Sequence, residues 1–136
     1  MKNMPPLPAL LAALVVAGCA MHASAPLGLT STNWRLEELN GRGAVGHKAS
    51  LTISREGRMG GNTGCNAMFG HAKLDGNHVV FETIGSTKMA CVDPEIMDQE
   101  HRYFDALKQV ATWRIDDGRL YLTDRARKDV LAFEPE

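Results

Sequence analysis

From Asn33 to the C-terminus, apolar and polar side chains alternate at period two, with one interruption. Trp34, Leu36 and Glu38 fall on one side of an extended chain and Arg35, Glu37 and Leu39 on the other, ahead of Asn40-Gly41. That pattern predicts a strand running into a turn. Ala49, Leu51 and Ile53 predict a second strand, ended by Glu56-Gly57. The stretch from Arg58 to Gly64 is too rich in glycine for an ordinary strand and predicts backbone that bends or packs closely on a neighbour. Leu74-Asp75-Gly76-Asn77 predicts a tight hairpin between a strand near His71 to Leu74 and a strand from His78 to Thr83.

The interruption starts at Asp93-Pro94, where Asp93 can cap a helix and Pro94 fits its first turn. Ile96, Tyr103, Phe104, Leu107 and Val110 recur at helical spacing, leaving Asp98, Gln99, Glu100, Arg102 and Lys108 for solvent. One amphipathic helix of about four turns is predicted. Period two then returns through Trp113 and Ile115, the turn Asp116-Asp117-Gly118, Leu120 and Leu122, a second turn from Asp124 to Asp129, and Val130 to Phe133. A strand meander around a single helix implies an α+β fold, mainly antiparallel β. One helix cannot cover a wide sheet, so the sheet should curl into a barrel-like form, bent at the glycines of residues 57 to 64. Trp34, Ile53, Phe81, Phe104, Leu107, Trp113 and Leu122 are the expected core where helix meets sheet.

The N-terminus has a different pattern: Lys2, an apolar run from Leu7 to Val16, then Ala17-Gly18-Cys19. It reads as a lipoprotein signal peptide over residues 1–18, with lipid on Cys19, a tether over 19–28 and one domain over 29–136. The run is broken by Pro5, Pro6 and Pro8 and falls short of the roughly 20 apolar residues that a bilayer span needs. An ordinary secretion signal cleaved after Ala23-Ser24-Ala25 is the competing reading. The expected membrane partner is reached through the Cys19 lipid. Ala20, where an Asp is absent, resembles the signal for a bacterial outer-membrane lipoprotein facing the periplasm.

The chain has 15 basic and 16 acidic side chains, and signal cleavage would remove only Lys2. No polybasic stripe emerges, so nucleic acid is not an expected partner. Three cysteines are an odd count for an exported protein, and lipid on Cys19 leaves Cys65 and Cys91.

Two further stretches are distinctive: Gly60-Gly61-Asn62-Thr63-Gly64-Cys65-Asn66-Ala67-Met68-Phe69-Gly70 and Ser86-Thr87-Lys88-Met89-Ala90-Cys91. With Trp34-Arg35-Leu36 and the helix segment Glu100 to Leu107, they resemble the META domain family over about residues 29 to 134. The resemblance implies a small, mainly antiparallel β-domain with one helix and no established catalytic activity. It also implies membership among exported or lipid-anchored bacterial proteins associated with stress response, drug tolerance or secretion. The family's last hairpin usually turns through a glycine. Here the turn is Asp124-Arg125-Ala126-Arg127-Lys128-Asp129, which implies a longer or looser geometry and leaves the register of the final strand open.

Cys65 and Cys91 admit three readings. A zinc or redox site would recruit His47, His71, His78 or His101, but none has ligand-like spacing, and no metal or other cofactor is expected. A disulfide closing residues 65 to 91 suits an oxidising compartment, and two buried thiols remain as the third reading. Asn62 and Asn66 among glycines could suggest a phosphate cradle, but no helix or lysine follows as such a loop requires. The preferred account has these side chains bonding local peptide groups, with Gly61, Gly64, Gly70, Thr87 and Met89 as structural motif positions. The histidines are expected at the surface. Met68, Met89 and Met97 are expected mainly as core filling, with an adaptable binding groove as the alternative.

No nucleophile, base and orienting group can be assembled from these residues. The expectation is therefore a non-enzymatic envelope lipoprotein that binds an unidentified envelope protein or an apolar segment. A structural stabiliser without a groove and a small-ligand carrier with an internal cavity are the alternatives. A cleft between helix and sheet would favour binding, and a solid core the structural reading.

Overall fold

The computed structural model describes residues 27–136, together with Asn3. Cys19, the signal segment and most of the tether lie outside the described residues. Nine strands and one helix follow in the order β1 (Trp34–Leu39), β2 (Arg42–Gly43), β3 (Ser50–Ile53), β4 (Arg58–Asn62), β5 (Ala67–Asp75), β6 (His78–Ser86), α1 (Pro94–Gln109), β7 (Thr112–Asp116), β8 (Arg119–Thr123) and β9 (Asp129–Pro135). The strands form one antiparallel sheet, and β1 pairs with both β3 and β9, so the sheet closes on itself as a barrel. Closure through the β1–β9 pairing covers the edges that an open sheet would leave at its two ends.

The turns sit where the sequence places them. Asn40 and Gly41 both have positive φ, 50° and 76°, as a two-residue hairpin demands. Gly76-Asn77 joins β5 to β6 in register Asp75↔His78. The side chain of Asp93 accepts the Glu95 amide at 2.9 Å and Pro94 opens the helix. At the far end Val110 turns extended, with its N–H on the Leu107 carbonyl. The β8–β9 turn is longer, as the missing glycine implies, yet tightly held: Asp124 Oδ1 accepts the amides of Ala126 and Lys128, each at 2.9 Å. A register shift beside this turn, between Leu122 and Thr123, absorbs the extra length, and Leu120↔Phe133 and Leu122↔Leu131 pair regularly.

Three local expectations are corrected. A bulge between Leu36 and Glu38 inserts Glu37 against β9, which reverses the alternation and turns Leu39 inward with Trp34 and Leu36. The glycine-rich stretch forms the paired strand β4, an assignment its composition argues against, while the close packing that composition predicts is present. Its Gly60 and Gly61 fit because β3 lies so close that a Cβ on Gly61 would run into the Ser50 carbonyl oxygen. Phe104 and Trp113 are only partly buried, whereas Trp34, Ile53, Phe81, Leu107 and Leu122 join the core. Phe104 lies one position off the inward stripe of α1, and Trp113 caps the β5–β6 hairpin with its indole N–H on the Gly76 carbonyl at 3.0 Å.

The barrel interior is filled by Trp34, Leu36, Leu51, Leu120, Leu122 and Phe133, with Tyr103, Ala106 and Leu107 supplied by α1. Burying each large side chain stabilises the fold by about 1.5–3 kcal/mol. The Tyr103 hydroxyl donates to the Ser50 carbonyl at 3.1 Å, tying helix to barrel, and complete burial pushes its phenol above the usual range. The ring has one weak seam. β6 runs nine residues, but it meets β7 at the single pair His78↔Thr112, and α1 is the connection that bridges the two.

Candidate functional site

The two distinctive motifs meet on the helix. Between β4 and β5 the chain turns through Thr63–Asn66, where the Thr63 N–H donates to the Asn66 carbonyl at 2.9 Å and Thr63 Oγ1 accepts the Asn66 amide at 3.0 Å. Asn62 Oδ1 accepts the Gly64 amide at 2.7 Å, the local bond expected of it. Gly64 has φ 104°, and a Cβ there would sit 2.9 Å from Gln99 Nε2, so both backbone and space demand glycine. Gly70 faces a second bulge, where Thr83 and Ile84 oppose it between the pairs Phe69↔Gly85 and His71↔Glu82. A Cβ on Gly70 would lie 3.0 Å from the Glu82 carbonyl oxygen. Thr83 holds φ 52° at this bulge, an unfavourable conformation for a β-branched residue.

From this turn a buried polar cluster grows. Glu100 Oε1 accepts the Thr63 hydroxyl and Asn66 Nδ2, each at 2.8 Å. Asn66 Nδ2 also donates to the Met89 carbonyl at 3.1 Å, while its Oδ1 accepts the Met89 amide at 2.7 Å and the Thr87 hydroxyl at 2.9 Å. Gln99 spans another gap: Nε2 donates to the Thr63 carbonyl at 3.1 Å, and Oε1 accepts the Val45 amide at 2.6 Å. Thr63, Asn66, Gln99 and Glu100 are all buried. Buried polar groups are tolerable only when satisfied in this way.

Gln99 and Glu100, expected in solvent, thus lie inside, and Asn66 bonds far along the chain as well as nearby. The spacing carried the signal: Ile96, Gln99, Glu100, Tyr103 and Leu107 occupy one helical face. Hydropathy masked it, because two members of that face are polar. Thr63 was likewise missed, since a threonine among glycines reads as loop.

A disulfide joins Cys65 to Cys91, with Cα atoms 6.0 Å apart at a sequence separation of 26. The connection Thr87–Asp93 is therefore clamped twice, by the disulfide and by Asn66 on Met89. Met89 itself corrects an expectation. Its backbone is held but its side chain is exposed, as are Val92 and Phe69, whereas Met68 fills the core. His47, His71, His78 and His101 all lie at the surface. Among the described residues no three His, Cys, Asp or Glu side chains gather as metal ligands. The buried Glu100 carboxylate ties Thr63 and Asn66 to α1, so within the fold the cluster acts as an internal clamp.

The concave surface lies elsewhere, along the weak seam. Where β6 and β7 diverge, an open groove of about 1180 Å³ is lined by His78 and Val80, Lys108, Thr112 and Arg114, and the β8–β9 turn. Further along β6 a recess of about 190 Å³ lies against α1, between Ile84, Gly85, Ser86, Lys88, Phe104 and Lys108. Lys108 borders both, so the two depressions follow one line down the β6 edge.

Comparison with known proteins matches this architecture. "Heat shock protein HslJ" of Escherichia coli (strain K12) is 27% identical over 125 residues, spanning 89% of this chain and 88% of that protein. An NMR structure of a protein from Burkholderia xenovorans has the same fold, with TM-score 0.63 and 23% identity over 98% of this chain and 99% of that one. A second NMR structure superposes with TM-score 0.62 and 20% identity, covering 78% of this chain and 90% of its own. The META domain model matches residues 27–136, over four-fifths of the sequence, and the chain belongs to the META domain family.

Proposed function

We propose that this protein is a non-enzymatic, lipid-anchored lipoprotein of the bacterial envelope that binds an extended segment of another envelope protein, in support of stress resistance or secretion. The observation that carries the reading is the seam. β6 keeps a single pairing with β7, so the backbone from Val80 to Ser86 offers an edge to which a strand can add, as in known β-augmentation. The recess at Ile84 and Phe104 lies on that line and suits one apolar side chain of the added segment. The filled barrel interior argues against a ligand carried inside it. The buried polar cluster shapes the backbone around the seam, because Asn66 and the disulfide hold the connection that leaves β6. Lipid on Cys19 would place the domain at the membrane surface, and Cys19→Ser should abolish labelling by fatty acid. Unchanged labelling in that variant would remove the anchor from the proposal.

The binding reading is tested by placing a photo-crosslinking residue at Val80 or Ile84 in intact cells, with exposed Arg55 in the β3–β4 turn as control. A discrete adduct from the β6 positions, the Val80 adduct lost when Ile84→Glu is added at the recess, and none from Arg55, is the expected result. Adducts of equal yield from all three positions, or none from β6, would overturn it.

A further inference from the structure

The wide end of the seam groove has an unbalanced charge. Its lining includes Lys108, Arg114, Arg125 and Arg127 against one carboxylate, Asp124, although the chain as a whole carries a net charge of −1. The nearby carboxylates are already engaged. Asp124 spends its Oδ1 on the amides of Ala126 and Lys128, and Asp129 takes a forked bond from Arg114 at 2.6 and 3.0 Å, which holds the Asp129 carboxyl below its ordinary range. Lys108 has only a loose exposed contact with Asp105 at 3.7 Å. Arg125 and Arg127 form no ion pair among the described residues.

The backbone adds a second, independent point. Arg127 sits at φ 62°, a left-handed conformation that glycine adopts without strain and an arginine does not. The turn is locked there by the Arg127 N–H on the Asp124 carbonyl and the Asp124 N–H on the Lys128 carbonyl, both at 3.0 Å. A turn whose backbone is already fixed spares the backbone part of the ordering cost when its two unpaired guanidinium groups bind. Guanidinium forks match phosphoryl oxygens two at a time.

We infer that this groove binds a multiply charged phosphoryl-bearing anion, with Arg125 and Arg127 gripping its oxygens and Lys108 closing the opposite wall. The anion is a soluble phosphate compound or a phospholipid headgroup, and the two share one chemistry. The site adjoins the Val80–Ser86 edge, sharing Val80 and Lys108 with it, but its ligand is held by the β8–β9 turn and does not depend on strand addition.

The test uses the full chain and two probes: inorganic pyrophosphate, and vesicles of phosphatidylcholine with or without phosphatidylglycerol. Pyrophosphate titration followed by amide NMR shifts should saturate at Arg125 to Lys128 and near Lys108, and weaken with added salt. Arg125→Gln with Arg127→Gly should lower the affinity about tenfold for each arginine lost. The glycine relieves the left-handed strain, so this variant should fold at least as well, and its thermal midpoint checks that. Extra retention on phosphatidylglycerol vesicles that the double variant loses would identify the headgroup as the source; saturable pyrophosphate binding without it would identify a soluble ligand. No saturable response to either probe, shifts confined to other regions, or affinity unchanged in the folded double variant would overturn the inference.

Discussion

Replacing Asn66 with alanine tests the claim that the motifs act through one buried clamp. The amide is 1% exposed and makes four bonds of ordinary geometry: with the Met89 carbonyl and amide, with the Thr87 hydroxyl and with the Glu100 carboxylate. A neutral bond contributes about 1 kcal/mol net and one to a carboxylate about 2, an upper sum near 5 kcal/mol. Water reaching Met89 and Thr87 from the exposed side recovers part of this, so we expect Asn66→Ala to cost about 4 kcal/mol. That is a large share of the roughly 5–15 kcal/mol of a typical domain. Urea unfolding followed by Trp fluorescence would read it as a lower midpoint at unchanged slope. Thr87→Val, which removes one of the four bonds and the acceptor of the Ala67 amide, should cost about 1–2 kcal/mol and keeps the test open should Asn66→Ala not fold. Asn66→Asp separates charge from shape. Its new carboxyl meets the Glu100 carboxylate at hydrogen-bond distance and should retain a proton that the unfolded chain releases, so stability should fall as pH rises above the ordinary carboxylate range. A loss below about 1 kcal/mol for Asn66→Ala, inside the range of ordinary surface changes plus error, would refute the clamp.

The disulfide and the helix face give two further outcomes. The Cys65–Cys91 bridge closes a loop with sequence separation 26, so Cys65→Ser with Cys91→Ser should lower stability by about 3.5 kcal/mol, and non-reducing peptide mapping should find the two cysteines joined in native protein. Leu107→Ala, at a fully buried position, should cost about 3 kcal/mol, whereas Phe104→Ala at the half-exposed recess should cost about 1; equal losses would place Phe104 in the core.

Turns, helix limits and strand alternation were legible in the sequence because short-range sterics decide them. Asn40, Gly41 and Gly76 supply the positive φ that their hairpins require, and Asp93-Pro94 satisfies and opens the first helical turn. The distinctive positions Gly61, Gly64, Cys65, Asn66, Gly70 and Cys91 were also visible, since such residue types cluster only where backbone or covalent geometry is special. What they touch was not visible. The inward placement of Gln99 and Glu100 depends on Thr63 and Asn66, more than thirty residues away, arriving beneath the helix with matching donors. Leu39 points inward because a bulge against β9, at the other end of the chain, reverses its alternation. The seam between β6 and β7 is likewise a product of closure: once β1 has paired with β9, α1 must bridge the remaining gap, and only that gap creates the groove. Local preferences fix φ, ψ and capping residue by residue, whereas the partner of a buried polar group and the place where a ring fails to pair emerge only when distant segments share one volume.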